Sequence, residues 1–368
     1  MKIGCVVGAR PNFMKIAPIL RSLERYPEIQ VELIHTGQHY DAKLSSVFFQ
    51  ELGIRPPDVS LEVGSGTHAR QTAAIMIAIE DLLQTAADSG RPFDRLVVVG
   101  DVNSTMAATL AAVKLGVRVA HVEAGLRSGD RSMPEETNRL LTDSVSDILL
   151  CSEESGAENL RREGHLEDSI HLVGNVMIDT LFHQLEAARG RDTLCQFGVR
   201  PHEFAVVTLH RPSNVDRRES LEPLVNVLQR VSAALPIVFP VHPRTKARLT
   251  EFSLFESLSS ESGITLAEPL GYQDFLCLTS QAKVIVTDSG GLQEESTALG
   301  VPCLTMRSNT ERPVTVDLGT STLIGNSAEL LETMLRDVIN ESYKKGRCPV
   351  LWDGNAADRI AAVLAADN

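Results

Sequence analysis

Charged and polar residues in this chain gather in one kind of place, at or just after the end of a short apolar run. Asp288-Ser289-Gly290-Gly291-Leu292-Gln293-Glu294-Glu295 follows one such run and opens a helical pattern. Glycines there let backbone approach a phosphate, and a helix N-terminus offers N–H donors and the positive end of its dipole. Ser289 adds a hydroxyl, and the acidic pair one turn further on can reach a ribose diol. A plain strand–turn–helix junction with a Glu-rich first turn accounts for the same segment taken alone. Gly8-Ala9-Arg10-Pro11-Asn12-Phe13-Met14-Lys15 is a second junction. It lacks the second and third glycines of a dinucleotide fingerprint, which disfavours a dinucleotide site on the first strand. It offers Arg10 and Lys15 instead, two cations that suit a diphosphate. Lys15 as a solvated helix residue is the plain alternative.

Asp101, in Gly100-Asp101-Val102-Asn103-Ser104-Thr105, ends a third run, where a helix N-cap is its commoner role. Glu123, in His121-Val122-Glu123-Ala124-Gly125-Leu126-Arg127, ends a fourth, and a charge at the end of an apolar strand needs a partner or a function. Met133 to Arg139 reads as a helix start with Glu135 and Glu136 complementing the dipole. Thr208-Leu209-His210-Arg211 and Pro240-Val241-His242-Pro243-Arg244 each end a run with His followed by a cation. Zinc is a weak second role for these histidines, because no Cys or third His comes at ligand spacing. Arg312, in Thr310-Glu311-Arg312-Pro313, adds a cation in a later loop. Each is weak alone; together they occupy the recurrent location of an α/β active site.

The elements that must hold these residues alternate along the whole chain. Strand candidates are Ile3–Ala9, Val31–Thr36, Leu96–Asp101, Val117–Glu123, Ile148–Ser152 and His171–Gly174, with helical patterns such as Ala73–Leu83 and Thr105–Leu115 between them. A second series follows: Ala205–His210, Ile237–His242, Ile264–Glu268, Val284–Asp288 and Val301–Met306. Such alternation predicts α/β architecture with two doubly wound, Rossmann-like parallel sheets. Residues 1–175 form the first domain and 176–350 the second, with the boundary in the stretch Asn175–Asp192 or, alternatively, in Gly190–Arg200. Ligands bind at the carboxyl ends of strands in such sheets, so the expected site is a central cleft that the two domains face.

Composition narrows the partners. The net charge is −13 and aromatics make up 4% of 368 residues, which argues against nucleic acid and anionic membranes as partners. No apolar stretch approaches the ~20 residues of a membrane span. Met1-Lys2 leads directly into an apolar run, so no signal peptide is expected. Six cysteines form no C-x-x-C pair. Cys5, Cys151 and Cys303 lie in or beside apolar runs, which points to buried reduced thiols and a cytoplasmic protein.

On these motifs the chain resembles the non-hydrolysing UDP-N-acetylglucosamine 2-epimerases, which share the glycosyltransferase-B architecture. The resemblance spans almost the whole chain. Its carriers, in order, are Gly8–Lys15, Gly100-Asp101, His121–Arg127 (HVEAGLR), Pro134–Arg139 (PEETNR), His210-Arg211, Asp288–Glu295 (DSGGLQEE) and Thr310–Pro313 (TERP). It implies acid/base roles for Asp101, Glu123, Glu135 and His210, with Lys15 near the reacting sugar and phosphate. It assigns UDP to Arg10, His242, Ser289, Gly290, Gly291, Glu295 and Arg312, with Phe275 near the uracil. It further implies a homodimer, no cofactor or metal, and a last helix, Asn355–Ala366 within 351–368, that crosses back to the first domain. There are departures. Pro212-Ser213-Asn214 follows His210-Arg211 where many members carry Arg and Glu, and the segment from Glu123 to Pro134 is shorter than in some relatives. Residues 64–72 (GSGTHARQT) look more like relatives acting on diacetamido-uronic acid sugars.

The resemblance also implies a route for the chemistry. The sugar C2–H is not acidic, since no carbonyl flanks C2. Departure of UDP from C1 gives C1 oxocarbenium character, which acidifies that proton. A carboxylate takes it, leaving a glycal-like alkene. A proton then returns on the other face and UDP adds back. A glycosyltransferase of the same architecture and a non-catalytic UDP-sugar sensor are the competing readings.

Overall fold

The computed structural model describes residues 1–38 and 53–367, apart from the side chain of Arg10. By its internal contacts the chain divides into two compact units. The first comprises Met1–Thr180 and Val350–Asn368, and the second Leu181–Pro349. Among the described residues no helix is long and apolar enough to cross a membrane.

The first unit carries a seven-stranded sheet. Its strands are β1 (Lys2–Val7), β2 (Gln30–His35), β3 (Val59–Ser60), β4 (Arg95–Val99), β5 (Arg118–Val122), β6 (Ile148–Cys151) and β7 (Ile170–Leu172), in the order β3-β2-β1-β4-β5-β6-β7. Every pairing is parallel. Parallel strands covered on both faces carry near-continuous apolar runs. Arg95–Val99 shows this: all five residues are buried, with Arg95 the one charge. The crossovers include α1 (Arg10–Leu23), α2 (His68–Asp88), α3 (Asn103–Lys114), α4 (Pro134–Val145) and α5 (Glu154–Arg162), and α6 (Val176–Arg189) follows β7. Ile75, Ile79 and Leu83 of α2 and Ala107, Ala108 and Ala111 of α3 pack against Leu96 and Val98. The small alanines let α3 lie close to the sheet, and the residues beyond β4 depend on that placement.

The second unit repeats the plan with six strands. They are β8 (Ala205–Thr208), β9 (Ile237–Pro240), β10 (Ile264–Ala267), β11 (Val284–Thr287), β12 (Cys303–Thr305) and β13 (Ser321–Leu323), in the order β10-β9-β8-β11-β12-β13, all parallel. Each sheet therefore has one point where successive strands begin to grow in the opposite direction, between β1 and β4 and between β8 and β11. At such a switch point the flanking loops separate and leave a crevice at the carboxyl ends of the strands.

The strands end earlier than the apolar runs suggest. Asp101, Glu123, His210, His242 and Asp288 all fall one or more residues beyond the ladder, in the connecting turns. Cys5, Cys151 and Cys303 are buried in strands as expected, and no disulfide occurs among the described cysteines.

The last segment is tied to the first unit by specific bonds. The Trp352 indole donates to the Ser152 carbonyl at 3.0 Å. Asp179 of α6 accepts from the amides of Ala356 (3.2 Å) and Ala357 (2.7 Å), which open the helix Ala356–Ala366. Arg95, buried at the start of β4, donates to the carbonyls of Leu364 and Asp367 and pairs with the Asp367 carboxylate.

Candidate active site

In the first unit, the turn after β1 is built around glycine and asparagine. A Cβ on Gly8 would lie 2.0 Å from Ser104 Oγ, so only glycine fits where α1 and α3 meet. Asn12 Oδ1 accepts from the amides of Gly8 (3.1 Å) and Ala9 (3.0 Å), and its Nδ2 donates to the Val99 carbonyl (3.0 Å). This single side chain joins the end of β1 to the end of β4 across the switch point.

Lys15, in the second turn of α1, places Nζ 2.5 Å from Glu123 Oε2, with both side chains largely buried. Glu123 follows β5 in left-handed backbone, φ +71°. A non-glycine residue there is strained by about 1 kcal/mol or more and persists only where its surroundings hold it. Gly100 has φ +69°, and a Cβ on it would come within 2.9 Å of Lys15 Nζ, so this glycine lets the ammonium pass over the β4 turn.

Asp101 does not cap α3. The N-cap is Val102, and the Asp101 carboxylate accepts from Arg139 Nη2 at 2.5 Å instead. Asn138 donates to the Asp101 carbonyl at 2.8 Å. Of the acidic pair opening α4, Glu136 is the buried one. It accepts from the amides of Ser128 (3.0 Å) and Gly129 (2.9 Å) and pairs with Arg139 (2.7 Å). Glu135 is half-buried and borders a cavity of about 310 Å³ with Gln38, His68, Gln71, Asn103 and Asn138. The first unit thus brings Lys15 and Glu123 into contact, supports Asp101 from α4, and sets Glu135 beside an adjoining cavity.

In the second unit, Asp288 is the organising residue. Fully buried at the end of β11, it accepts from the amides of His210 (2.9 Å) and Arg211 (2.8 Å), from Asn214 Nδ2 (3.0 Å), and from the His210 ring, whose Nδ1 lies 2.7 Å away. Burial opposes ionisation, but the His210 ring, the Arg211 amide and Asn214 hold the Asp288 carboxyl below its usual range. His210 is thereby held through Nδ1. The His242 ring lies 5.5 Å from it, centroid to centroid. His242 caps the helix Pro243–Glu251, its Nδ1 accepting from the Arg244 amide at 3.2 Å. Desolvation and the neighbouring His210 lower its pKa, which favours a neutral ring with the proton on Nε2. No group of three metal-ligating side chains occurs among the described residues.

Ser289 is the N-cap of the helix Gly290–Leu299, and its side chain makes no capping bond. Nothing lies within 4 Å of a Cβ built on Gly291, whereas one on Gly290 would lie 3.1 Å from Glu311 Oε1 and 3.5 Å from Arg307 Nη1. Further along, Glu295 is buried and accepts from the Tyr272 hydroxyl at 3.2 Å. Burial, and then the charge of Glu294, push its carboxyl up to about 7, against the Tyr272 bond. Arg312 is buried against Glu294, with which it forms an ion pair. Arg307, in the same loop, pairs with Glu311 at 2.9 Å. Phe275 is half-buried on the helix Tyr272–Thr279, packed beside the cluster that contains Phe204 and Val206.

Reading the sequence left Asn12, His121, Arg139, Asp143, Tyr272 and Asp288 without a role. Asn12, His121, Arg139 and Asp288 lie inside quoted motifs, which are the available signal. Asp143 and Tyr272 lie outside them and become visible only through partners distant in sequence.

Two parallel doubly wound sheets, each with ionisable residues gathered beyond its switch point, define an α/β protein of the glycosyltransferase-B type. A family model described as UDP-N-acetylglucosamine 2-epimerase matches residues 21–365. The UDP-N-acetylglucosamine 2-epimerase of Methanocaldococcus jannaschii is 42% identical over 99% of both chains. The crystal structure of that organism's UDP-GlcNAc 2-epimerase in complex with UDP-GlcNAc and UDP is similar with a TM-score of 0.86, at 41% identity and 100% coverage of each chain. The UDP-2,3-diacetamido-2,3-dideoxy-D-glucuronate 2-epimerase of Pseudomonas aeruginosa is 36% identical over 99% of both chains. The chain belongs to the UDP-N-acetylglucosamine 2-epimerase family.

Proposed function

We propose that this chain is a UDP-GlcNAc 2-epimerase, interconverting UDP-GlcNAc and UDP-ManNAc for cell-surface polysaccharide supply, and that it acts in the cytoplasm as a homodimer without metal or organic cofactor. The observation that carries the chemistry is the buried Lys15–Glu123 pair beside Asp101 at the switch point of the first sheet. Ser289 and the amides of Gly290 and Gly291 take the diphosphate at a helix N-terminus, with Arg10 and Arg312 as further cations. Glu295 accepts from the ribose hydroxyls, and Phe275 and His242 border the nucleotide. When the C1–O bond breaks, its electron pair leaves with UDP. Lys15 and the helix end stabilise that charge. Glu123 or Asp101 takes the C2 proton as the C1=C2 bond forms. Protonation on the opposite face, with Glu135 and His210 shaping the transfer, and return of a UDP oxygen to C1 complete the inversion.

Turnover in deuterated water tests this reading. Product, and recovered substrate as the reaction reverses, should carry deuterium at C2. Glu123→Gln and Asp101→Asn should each cut turnover by at least ~10²-fold while UDP affinity stays close to wild type. Epimerisation without deuterium at C2 would rule out proton removal there. The second reading is the diacetamido-glucuronate substrate. It is supported by residues 64–72 and by the 36% identity to the Pseudomonas aeruginosa enzyme. Comparing kcat/KM on the two UDP-sugars decides between them.

A further inference from the structure

The residues two before and two after Glu123 are bonded to the two oxygens of one carboxylate. His121 Nδ1 lies 2.6 Å from Asp143 Oδ1, and the Gly125 amide donates to Asp143 Oδ2 at 3.0 Å. Arg127 Nη1 reaches the same Oδ2 at 2.7 Å. The other ring nitrogen of His121, Nε2, lies 2.9 Å from the Gly100 carbonyl, at the turn that leads into Asp101. His121 and Asp143 are almost wholly buried, with 0% and 1% of the side chain exposed. The ring is therefore fixed from both sides, between the Gly100 carbonyl and the Asp143 carboxylate. Gly125 has φ +79°, and a Cβ there would lie 2.2 Å from the Gly156 carbonyl oxygen, so this turn is also closed against α5.

Burying an acid, an imidazole and a guanidinium together is costly unless each is bonded. Here the cost falls on holding a short stretch of backbone, Gly100 and His121 to Arg127, in one shape. That stretch contains the strained Glu123. Arg139, one helical turn before Asp143 on α4, supports the Asp101 carboxylate. One helix therefore serves both carboxylates.

We propose that Asp143 and His121 are positioning residues that hold Glu123 in its left-handed conformation and so aim its carboxylate for proton transfer. The proposal rests on the reading of Glu123 as a proton-transfer group. Both side chains are buried, so each acts through the backbone on either side of Glu123. A proton-transfer group displaced by a fraction of an ångström slows that step more than it weakens binding.

The test compares Asp143→Asn, His121→Asn and Glu123→Gln on UDP-GlcNAc and on its C2-deuterated form, with circular dichroism and thermal unfolding checking the fold. Asp143→Asn puts an amide NH2 where one oxygen accepts from Gly125 and Arg127. His121→Asn keeps a donor toward Asp143 and loses the bond to Gly100. Each folded variant should lose at least ~10-fold in kcat, with KM and UDP affinity within about 2-fold, and should show a larger deuterium isotope effect than wild type. A merely structural role lowers the amount of folded enzyme and leaves the isotope effect unchanged. That outcome in either variant, or wild-type kcat in both, overturns the proposal, and so does failure of both to fold. Wild-type turnover by Glu123→Gln would instead overturn the reading of Glu123 beneath it.

Discussion

Glu294 and Glu295 set two carboxylates side by side in the interior of the second unit, and the cation Arg312 is bonded to the first of them. Glu295 has the Tyr272 hydroxyl, and its carboxyl is lifted from 4.5 to about 7, by burial first and then by Glu294. The unfolded chain titrates near the lower value, so the folded protein holds an extra proton between the two. Stability from this group is full below about 4.5 and is lost as pH rises through 7. Glu295→Gln, neutral at every pH, should remove that loss. Urea unfolding at pH 8 should find the variant more stable by roughly 1–3 kcal/mol, with its advantage shrinking toward pH 5. Its UDP affinity should fall, because an amide is a weaker acceptor for a diol. Parallel pH profiles for the two proteins would remove Glu295 from this account. Sequence pattern marks the charged residues here but not their pairings. Asp288 reads as the end of an apolar run, and its partners at 210, 211 and 214 lie far away in the chain.

The elements were legible where their pattern is regular and hidden where it is inverted. Buried parallel strands such as Val284–Thr287 show as apolar runs, and α2 and α3 as helical repeats. The edge strands Val59–Ser60 and Ser321–Leu323 are too short to leave a pattern. Helix α4 reverses the usual rule. It buries Glu136, Asn138, Arg139, Thr142 and Asp143 and exposes Leu141 and Val145. An apolar-stripe reading turns that helix the wrong way round and misses the support it gives Asp101 and Glu123. The final helix supplies a test at this scale. Asp179 bonds two of its first amides, and helix ends otherwise leave such donors unpaired. Asp179→Ala should cost about 1–2 kcal/mol in thermal unfolding at pH 4, where the group still makes its full contribution. Asp179→Asn, which keeps an acceptor oxygen, should cost less. Its carboxyl is raised to about 6 by burial, against the two amides, so its contribution is lost as pH rises from about 4 through 6. The Asn variant should flatten that slope; equal melting of Ala variant and wild type would remove the cap's role.

Taken whole, the molecule builds the same sheet order twice, β3-β2-β1-β4-β5-β6 in one unit and β10-β9-β8-β11-β12-β13 in the other, with β7 extending the first. This duplication was legible from the alternation of runs, because two series of strands separated by helices leave few other arrangements. The nucleotide supplies the prediction. UDP at ~100 times its Kd should stabilise the folded state by about 2.7 kcal/mol and raise the melting temperature, while NAD at the same concentration should not. Equal shifts, or none with UDP, would count against the Ser289–Glu295 site. The division of the chain has a further consequence for its synthesis. Residues 181–349 interrupt the first unit, whose last piece begins at Val350. During translation the second unit emerges complete while the first still lacks the indole for the Ser152 carbonyl and the carboxylate for Arg95. At ~5–20 residues per second that wait lasts roughly 10–30 s. For that interval the nascent first unit exposes the apolar surface that helix Ala356–Ala366 will cover, a natural target for ribosome-associated chaperones, and a break in synthesis within residues 181–349 would leave that unit unfinished.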